Sequence, residues 1–166
     1  MRPDQCRLQF VDLQETVLPD IKIRADFDIC TWKPGDENKW IEIVQQAFGD
    51  FAASWSAERF VERYASNPAL FKEDGFFFIR HGERYVATAF AWQDGLDTSV
   101  GHLHWLAVIP KYQRCGLGRV LTLHVLKYHK EHGKKSVYLI TEVYRNAAIK
   151  LYKNLGFVLS DTDSRE

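Results

Sequence analysis

The sequence predicts a single domain of the mixed α/β (α+β) class, in which helices cover a central β-sheet. Two patterns carry this prediction: a strand–turn–strand hairpin lies in the middle of the chain, and strands alternate with helices after it. The composition supports it, because 46% of the 166 residues are hydrophobic and 14% are aromatic, enough for a sizeable core. We expect the domain to span residues 1–166, with residues 1–20 as an N-terminal extension that holds one strand.

Alternating polar and apolar residues predict strands near the N-terminus. The run CRLQF, residues 6–10, alternates over its whole length, as a half-buried strand does. Residues 18–29 alternate more strongly and are predicted to form one long strand. The apolar face of that strand would hold Ile21, Ile23, Ala25, Phe27 and Ile29.

Helical spacing follows in the next segment. Residues 33–50 combine turn residues, an acidic first turn and apolar residues three and four positions apart, which predicts an amphipathic helix. Residues 56–68 predict a second helix, with Ser56 as its N-cap and Pro68 just past its end.

Turn residues and glycines divide the second half of the chain. Residues 75–80 and 85–92 flank the turn HGER and predict a hairpin. A third strand over 100–109 ends at Pro110, and because proline lacks an N–H we expect the sheet to separate there. The last elements are predicted in order as a helix of about fifteen residues from Leu117, a strand over 136–141, a helix over 145–156 and a strand over 157–161.

Charge and cysteine usage narrow the class of protein. The 22 basic and 22 acidic residues give a net charge of zero, which argues against a broad surface for nucleic acid or membrane. The three cysteines, an odd number without metal-site spacing, suit a reducing compartment. Because the N-terminus lacks the apolar core of a signal peptide and no apolar run approaches membrane-spanning length, we expect a cytoplasmic protein.

The stretch VIPKYQRCGLGR, residues 108–119, places basic residues and glycines where a strand turns into a helix. Gly116 and Gly118 would let a ligand approach the backbone, and the first N–H groups of the helix have no intrahelical partners. With Arg114 and Arg119 beside them, these groups suit a pyrophosphate. On residue spacing alone, a tight turn that uses the two glycines and binds no ligand is equally consistent with the sequence.

Other known ligand motifs do not account for this loop. No P-loop sequence is present, and Leu121 stands where a dinucleotide fingerprint has its third glycine. The same-face pair His102 and His104 would suit zinc, but no third ligand is evident, so we expect no metal site. His124 falls on the apolar stripe of its helix and is predicted to be a core residue.

Two motifs, one in each of the last two strand–helix units, carry a resemblance to a known family. Residues 106–121, LAVIPKYQRCGLGRVL, are similar to the pyrophosphate loop V-x-P-x-x-[QR]-x-x-G-x-[GA], and residues 148–157, AIKLYKNLGF, to A-x-x-L-Y-x-x-x-G-F. In this order and separation they resemble the GNAT acyl-CoA-dependent N-acetyltransferases. Four further stretches resemble the mycothiol-synthase-like branch: WKPGDENKW, AFGDF, ERFVERY and HWLAV.

The resemblance implies a GNAT-like splayed sheet and acetyl-CoA as acyl donor to a primary amine of a small molecule. The pantetheine arm would pair with the strand at Leu106, Ala107 and Val108. Where many members have Asn this chain has Arg145, and we expect Arg145 and Asn146 near a coenzyme phosphate. The loop residues implied at the coenzyme are Gln113, Arg114, Cys115, Gly116, Leu117, Gly118 and Arg119.

The resemblance also implies direct attack of the amine in a ternary complex. Tyr152 matches the family's general acid for the departing thiolate, although by pattern alone it reads as a core aromatic. Backbone N–H near Val108 would stabilise the oxyanion. His104 is the first candidate for the general base, because an imidazole can act near neutral pH; Glu142 is another. A water chain without a dedicated base is equally consistent.

Several functional alternatives stay open. The chain could be a non-catalytic module that senses acyl-CoA, or the acceptor could be a protein lysine or N-terminus. Aromatic residues Phe48, Phe51 and Trp55 favour a small, partly apolar acceptor, unless they belong to the core. Because few residues follow Phe157, either the early strand over 6–10 or a partner subunit in a homodimer would complete the sheet.

Overall fold

A seven-stranded sheet runs through the computed structural model, which describes residues 1–96 and 98–160. Among these residues no helix is long and apolar enough to cross a membrane. The strands are β1 (Gln5–Phe10), β2 (Phe27–Thr31), β3 (Phe76–His81), β4 (Arg84–Trp92), β5 (Val100–Val108), β6 (Ser136–Glu142) and β7 (Val158–Leu159). The helices are α1 (Glu37–Phe48), α2 (Ala57–Phe60), α3 (Leu117–Glu131) and α4 (Asn146–Leu155), and α2 continues as a π-helical turn over Val61–Ala65.

The strand order β2-β3-β4-β5-β6-β1-β7 makes a mixed sheet with one parallel pair. That pair, β5 and β6, forms only a short ladder, which ends where His102 faces Tyr138. Beyond this point the described strands share no further ladder, so their carboxyl-terminal halves diverge. The predicted mixed and splayed sheet is therefore confirmed.

The helices lie on both faces of the sheet. Phe76 contacts Phe60 of α2, whereas the next residue, Phe77, contacts His124 of α3. Because successive strand residues point to opposite faces, α2 and α3 cover opposite sides. The core is largely aromatic on the α1–α2 side, where the Phe90 ring stacks on Phe76 with centroids 4.4 Å apart.

Most predicted elements are present close to their expected positions. The helix predicted from Leu117 has 15 residues, and the hairpin of β3 and β4 encloses the expected turn. Ser56 caps α2, because its side chain accepts a hydrogen bond from the Arg59 N–H at 3.2 Å. The last strand is shorter than predicted, and its expected end at Asp161 lies outside the described residues.

The prediction of one long strand over residues 18–29 is wrong, because only Phe27 onward joins the sheet. Ile21 and Ile23 do pack against the core, which explains the alternating pattern. Phe27, however, pairs with His81, the last residue of β3, so no neighbouring strand is left for the residues before it. A turn closed by the Phe27 N–H and the Arg24 carbonyl, 3.0 Å apart, also separates them from β2.

The position of the splay also differs from the prediction. Pro110 does follow the end of β5, but the β5–β6 ladder already stops at His102. Between these points β5 contains a bulge, where the register with β4 shifts and Trp105 adopts a φ of 50°. An extra residue in one strand bends and twists it, so the bulge rather than the proline accompanies the divergence.

The N-terminal strand completes the sheet beside β6. Residues of β1 pair antiparallel with β6 over their whole length, from Gln5 opposite Glu142 to Phe10 opposite Val137. The short β7 pairs on the outer side of β1. Of the two expected ways to complete the sheet, the structure shows the one that uses the early strand.

Candidate active site

The loop before α3 holds a run of backbone N–H groups without partners. Gly116 is the N-cap of α3, and the first helical hydrogen bond joins the Val120 N–H to the Gly116 carbonyl at 3.2 Å. Within the described residues, none of the N–H groups from residue 114 to residue 119 donates a hydrogen bond. Because the positive end of the helix dipole adds to these donors, the loop forms an anion-binding concavity.

The two glycines of this loop serve different purposes. Gly116 has a φ of 78°, in the left-handed region, and a Cβ there would meet nothing within 4 Å. A Cβ on Gly118 would instead lie 3.1 Å from Cδ2 of Leu151 and 3.9 Å from Cδ2 of Leu106. Gly116 therefore shapes the open side of the loop, and Gly118 lets α3 pack closely against α4 and β5.

Gln113 ties the loop to the end of β5. Its side-chain Nε2 donates to the Val108 carbonyl at 3.2 Å, so this predicted coenzyme ligand already has a partner within the protein. The next residue, Arg114, adopts a left-handed φ of 63°, and its exposed side chain forms no ion pair within the described residues. Arg119 is likewise exposed and unpaired there. The loop thus offers two cations beside its free N–H groups.

The edge of β5 that faces the gap carries open backbone groups. The Ile109 N–H donates to the Val86 carbonyl at 2.9 Å, which points towards β4. Because backbone groups alternate along an antiparallel strand, the Val108 N–H points the other way, into the gap between β5 and β6. Ala107, which is 2% exposed, turns its backbone towards β4. Of the predicted pantetheine partners, Ala107 thus faces β4, whereas Val108 has its backbone donor on the open edge.

Tyr152 lies on α4 against Phe157, with ring centroids 5.7 Å apart. Only 5% of the residue is exposed, and burial raises the pKa of its phenol, so the hydroxyl stays protonated at neutral pH. The hydroxyl makes no hydrogen bond to another described residue. A protonated phenol whose hydroxyl donates to no described residue is compatible with a general acid.

His104 lies on the α1–α2 face within a hydrogen-bonded trio. The Tyr64 hydroxyl is 2.7 Å from His104 Nε2 and accepts a hydrogen bond from Trp105 Nε1 at 2.9 Å. Since Trp105 uses the hydroxyl as an acceptor, we assign the Tyr64 proton to His104 Nε2 and the ring proton of His104 to Nδ1. Burial, His102 and Arg63 hold the pKa of His104 well below its usual value, so the ring is neutral.

Glu142, the other candidate base, is held between two arginines. It is 7% exposed; Oε1 accepts from Arg2 Nη2 at 3.1 Å and Oε2 from Arg145 Nε at 2.5 Å. Both carboxylate oxygens are therefore occupied by cations. The Arg145 guanidinium also lies 4.7 Å from the centre of the Phe48 ring, near the end of α1. The exposed Asn146 begins α4, and no described residue contacts its side chain through a hydrogen bond.

The aromatic residues expected near the acceptor surround the bulge of β5. The rings of Phe48, Phe51 and Trp55 lie 5.7, 6.0 and 5.5 Å from the Trp105 ring. Phe51 is half exposed, whereas Trp105 is partly buried. These residues therefore form an apolar wall that reaches the surface beside His104.

Sequence reasoning missed three residues that the fold brings to this site. Tyr64 looks like part of an apolar helix stripe, Asp94 like a turn residue, and Arg2 like a surface charge. Each reaches the site through a contact between distant segments: Tyr64 with His104, Asp94 with His102, and Arg2 with Glu142. No local pattern signals such contacts.

Curated relatives match most of this chain but only part of their own length. A mycothiol acetyltransferase of Thermomonospora curvata is 31% identical over 148 residues, which cover 87% of this chain and 48% of that protein. One of Acidothermus cellulolyticus is 33% identical over 164 residues, which cover 88% and 49%. The chain therefore spans about half the length of the curated relatives it matches.

A solved structure and a family model also match this chain. A GCN5-related N-acetyltransferase from Sphaerobacter thermophilus superposes with a TM-score of 0.75 at 20% identity, covering 96% of this chain and 50% of that one. Residues 39–157 match the profile described as the Acetyltransferase (GNAT) family. With the unpartnered N–H groups at the start of α3 and the splayed pair β5–β6, the chain belongs to the GNAT acetyltransferase family.

Proposed function

We propose that the chain is an N-acetyltransferase that moves an acetyl group from acetyl-CoA to a primary amine of a small molecule. The observation that carries the proposal is the run of free N–H groups over residues 114–119 beside the gap between β5 and β6. The loop suits a pyrophosphate, and the gap suits an extended arm that ends in a thioester.

In this proposal the coenzyme enters from the start of α3. The N–H groups of the loop bind the pyrophosphate, and the exposed guanidinium groups of Arg114 and Arg119 add charge. The pantetheine arm then follows the open edge of β5 past Leu106 to Val108. The thioester carbonyl reaches the Val108 N–H, which would stabilise the negative charge that develops on its oxygen.

The chemistry is direct attack by the amine. The nitrogen lone pair forms the new C–N bond as the C–S bond breaks, and the sulfur takes its proton from Tyr152. The acylated nitrogen then gives up its surplus proton, which restores the Tyr152 phenol. The acceptor must first lose its ammonium proton, and we assign that step to the neutral His104 ring, acting through Tyr64: the Tyr64 oxygen takes the proton as its own proton moves to His104 Nε2. Arg145 and Asn146 flank the start of α4, and we retain Asn146 as a residue near the coenzyme.

The aromatic wall supports a small, partly apolar acceptor. Phe48, Phe51 and Trp105 offer a rigid apolar surface beside His104, and the Arg145 cation next to Phe48 is already paired with Glu142. The relatives named mycothiol acetyltransferases favour a small-molecule acceptor of this kind. A protein lysine or a peptide N-terminus is the competing acceptor class.

Calorimetry with acetyl-CoA, followed by thiol release with an amine panel, tests the proposal. The panel holds glucosamine, neamine, the amine that a mycothiol acetyltransferase acylates, and a peptide with a free N-terminus. We expect wild type and Tyr152→Phe to bind acetyl-CoA, but only wild type to release thiol rapidly with a small amine. Tyr85→Phe is the matched control and should behave as wild type. Absence of binding to wild type would refute the assignment of the loop.

One observation favours a second candidate, a non-catalytic acyl-CoA sensor. His104 Nε2 is bound to Tyr64, and both oxygens of Glu142 are bound to arginines, so neither candidate base is free of partners. Binding of acetyl-CoA without thiol release for any amine in the panel would support the sensor.

A further inference from the structure

A series of polar side chains leads from His104 to the protein surface. The His104 and His102 rings have centroids 4.4 Å apart, and His102 Nδ1 lies 3.6 Å from Asp94 Oδ1. The His102 side chain is 11% exposed, whereas that of Asp94 is 58% exposed. The series therefore begins in the interior, next to the predicted site of amine attack, and ends at a carboxylate in contact with solvent.

His102 is held in place from both faces of the sheet. On the α1–α2 face its ring stacks on that of Tyr138, its ladder partner, with centroids 4.3 Å apart and an interplanar angle of 17°. The Tyr138 hydroxyl donates to Asp94, and the Arg7 guanidinium covers the outer side of the Tyr138 ring at 3.9 Å. From the α3 side, His129 Nε2 donates to the His102 carbonyl at 3.1 Å.

One buried nitrogen of the His102 ring faces a carboxylate without bonding to it. His102 Nδ1 makes no hydrogen bond within the described residues, although Asp94 Oδ1 lies 3.6 Å away. A buried polar atom without a partner is costly in a purely structural cluster. A role in proton transfer would account for this nitrogen, because an imidazole beside a carboxylate can accept a proton and pass it on.

We propose that His102 and Asp94 form a proton relay for acetyl transfer, in which the proton shed by the acceptor passes from His104 through His102 to the exposed carboxylate of Asp94. The inference rests on the proposed function. The overall reaction of an ammonium acceptor with acetyl-CoA gives the amide, the coenzyme thiol and one proton. That proton is the one that the relay carries to solvent.

The surroundings of the two rings favour His102 as the place where the charge rests. Tyr64, Phe90 and Trp105 surround His104, which also feels the Arg63 cation, and no carboxylate of a described residue contacts its ring. His102 faces Asp94, and the nearby His102 ring and the Tyr138 hydroxyl lower the pKa of that carboxyl to about 2, so it stays ionised. Two imidazolium rings this close would repel each other, so the His102–His104 pair carries at most one positive charge at a time.

The first test is the pH dependence of acetyl transfer with acetyl-CoA and the best amine of the panel. Loss of the Asp94 charge in Asp94→Asn should move the acidic limb of kcat/KM about one unit lower in pH, because the imidazolium loses its counter-ion. We expect kcat at pH 7 to fall about 10-fold, with the Kd for acetyl-CoA unchanged. Asp28→Asn, which removes another exposed and ion-paired aspartate, is the matched control.

A second measurement separates failure of the relay from failure of the proposed function. Ring-nitrogen NMR of the free protein follows both histidines, and Asp94→Asn should change the chemical shifts of the His102 ring nitrogens whereas Asp28→Asn should not. An active enzyme with unchanged pH profiles and unchanged His102 shifts in Asp94→Asn overturns the relay alone. A wild type that binds acetyl-CoA but acylates no amine overturns the relay together with the proposed function.

Discussion

A Cβ atom on Gly118 would lie 3.1 Å from Cδ2 of Leu151, so the start of α3 touches α4 at the residue next to Tyr152. This contact fixes the distance between the loop that would bind the pyrophosphate and the helix that carries the predicted acid. The spacing of the two helices is therefore part of the site.

Gly118→Ala should destabilise the protein by about 1–2 kcal/mol, because the added methyl group overpacks the contact with Leu151. The double variant Gly118→Ala/Leu151→Ala should show a favourable coupling energy, since the shorter side chain makes room. Urea unfolding of the single and double variants measures both quantities. Strict additivity of the two single effects would contradict this contact.

Gly116→Ala should cost about 1 kcal/mol by a different mechanism, because a φ of 78° strains a residue with a Cβ. Space is open around this position, so no second substitution should rescue the variant. Asn tolerates left-handed backbone better than Ala, and Gly116→Asn is therefore expected to lose less stability. Equal losses for Ala and Asn would show that strain at this φ is not the cause.

Removal of one loop cation should weaken coenzyme binding. Arg119 is exposed and without an ion pair among the described residues, so Arg119→Ala should raise the Kd for acetyl-CoA about fivefold, an amount typical of one charge-assisted contact. The effect should shrink at high salt, as expected for an exposed charge. Calorimetry at two salt concentrations checks it, with Lys127→Ala on the same helix as control.

Arg145 is expected to serve the acceptor side of the site rather than the coenzyme. Its guanidinium is bound to Glu142 and packs on Phe48, so Arg145→Met should leave the Kd for acetyl-CoA within about twofold of wild type. The same variant should lower stability by about 1–3 kcal/mol, because Glu142 loses one of its two partners. A tenfold weaker Kd would instead place Arg145 at a coenzyme phosphate.

Stability should fall in mild acid because buried histidines are neutral in the folded state. Burial lowers the pKa of His129 to about 4, and it also lowers that of His124. An unfolded chain binds these protons near pH 6.5, so stability is lost as the pH falls from about 6.5 towards 4, by up to about 3 kcal/mol for His129. Urea unfolding at pH 7 and 4.5 measures the loss, which should be smaller in His129→Gln.

Local patterns were sufficient for most of the fold. Helical spacing predicted α1 and α3, alternation and a turn predicted the β3–β4 hairpin, and glycines with basic residues predicted a loop of free N–H groups before α3. These features depend on interactions within a few residues, which the sequence displays directly. The long strand over residues 18–29 failed because a strand also requires a neighbour, and β3 ends opposite Phe27.

By itself the sequence determined the class of fold and, through its motifs, the family, and it predicted the loop that we propose binds the pyrophosphate. Only the tertiary structure decided that β1 lies beside β6, that a bulge at Trp105 accompanies the splay, and that Asp94 and Tyr64 join His102 and His104. Those features depend on side chains and strands far apart in the chain. Their contacts form only when burial and backbone pairing bring the segments together, and no local pattern encodes that geometry.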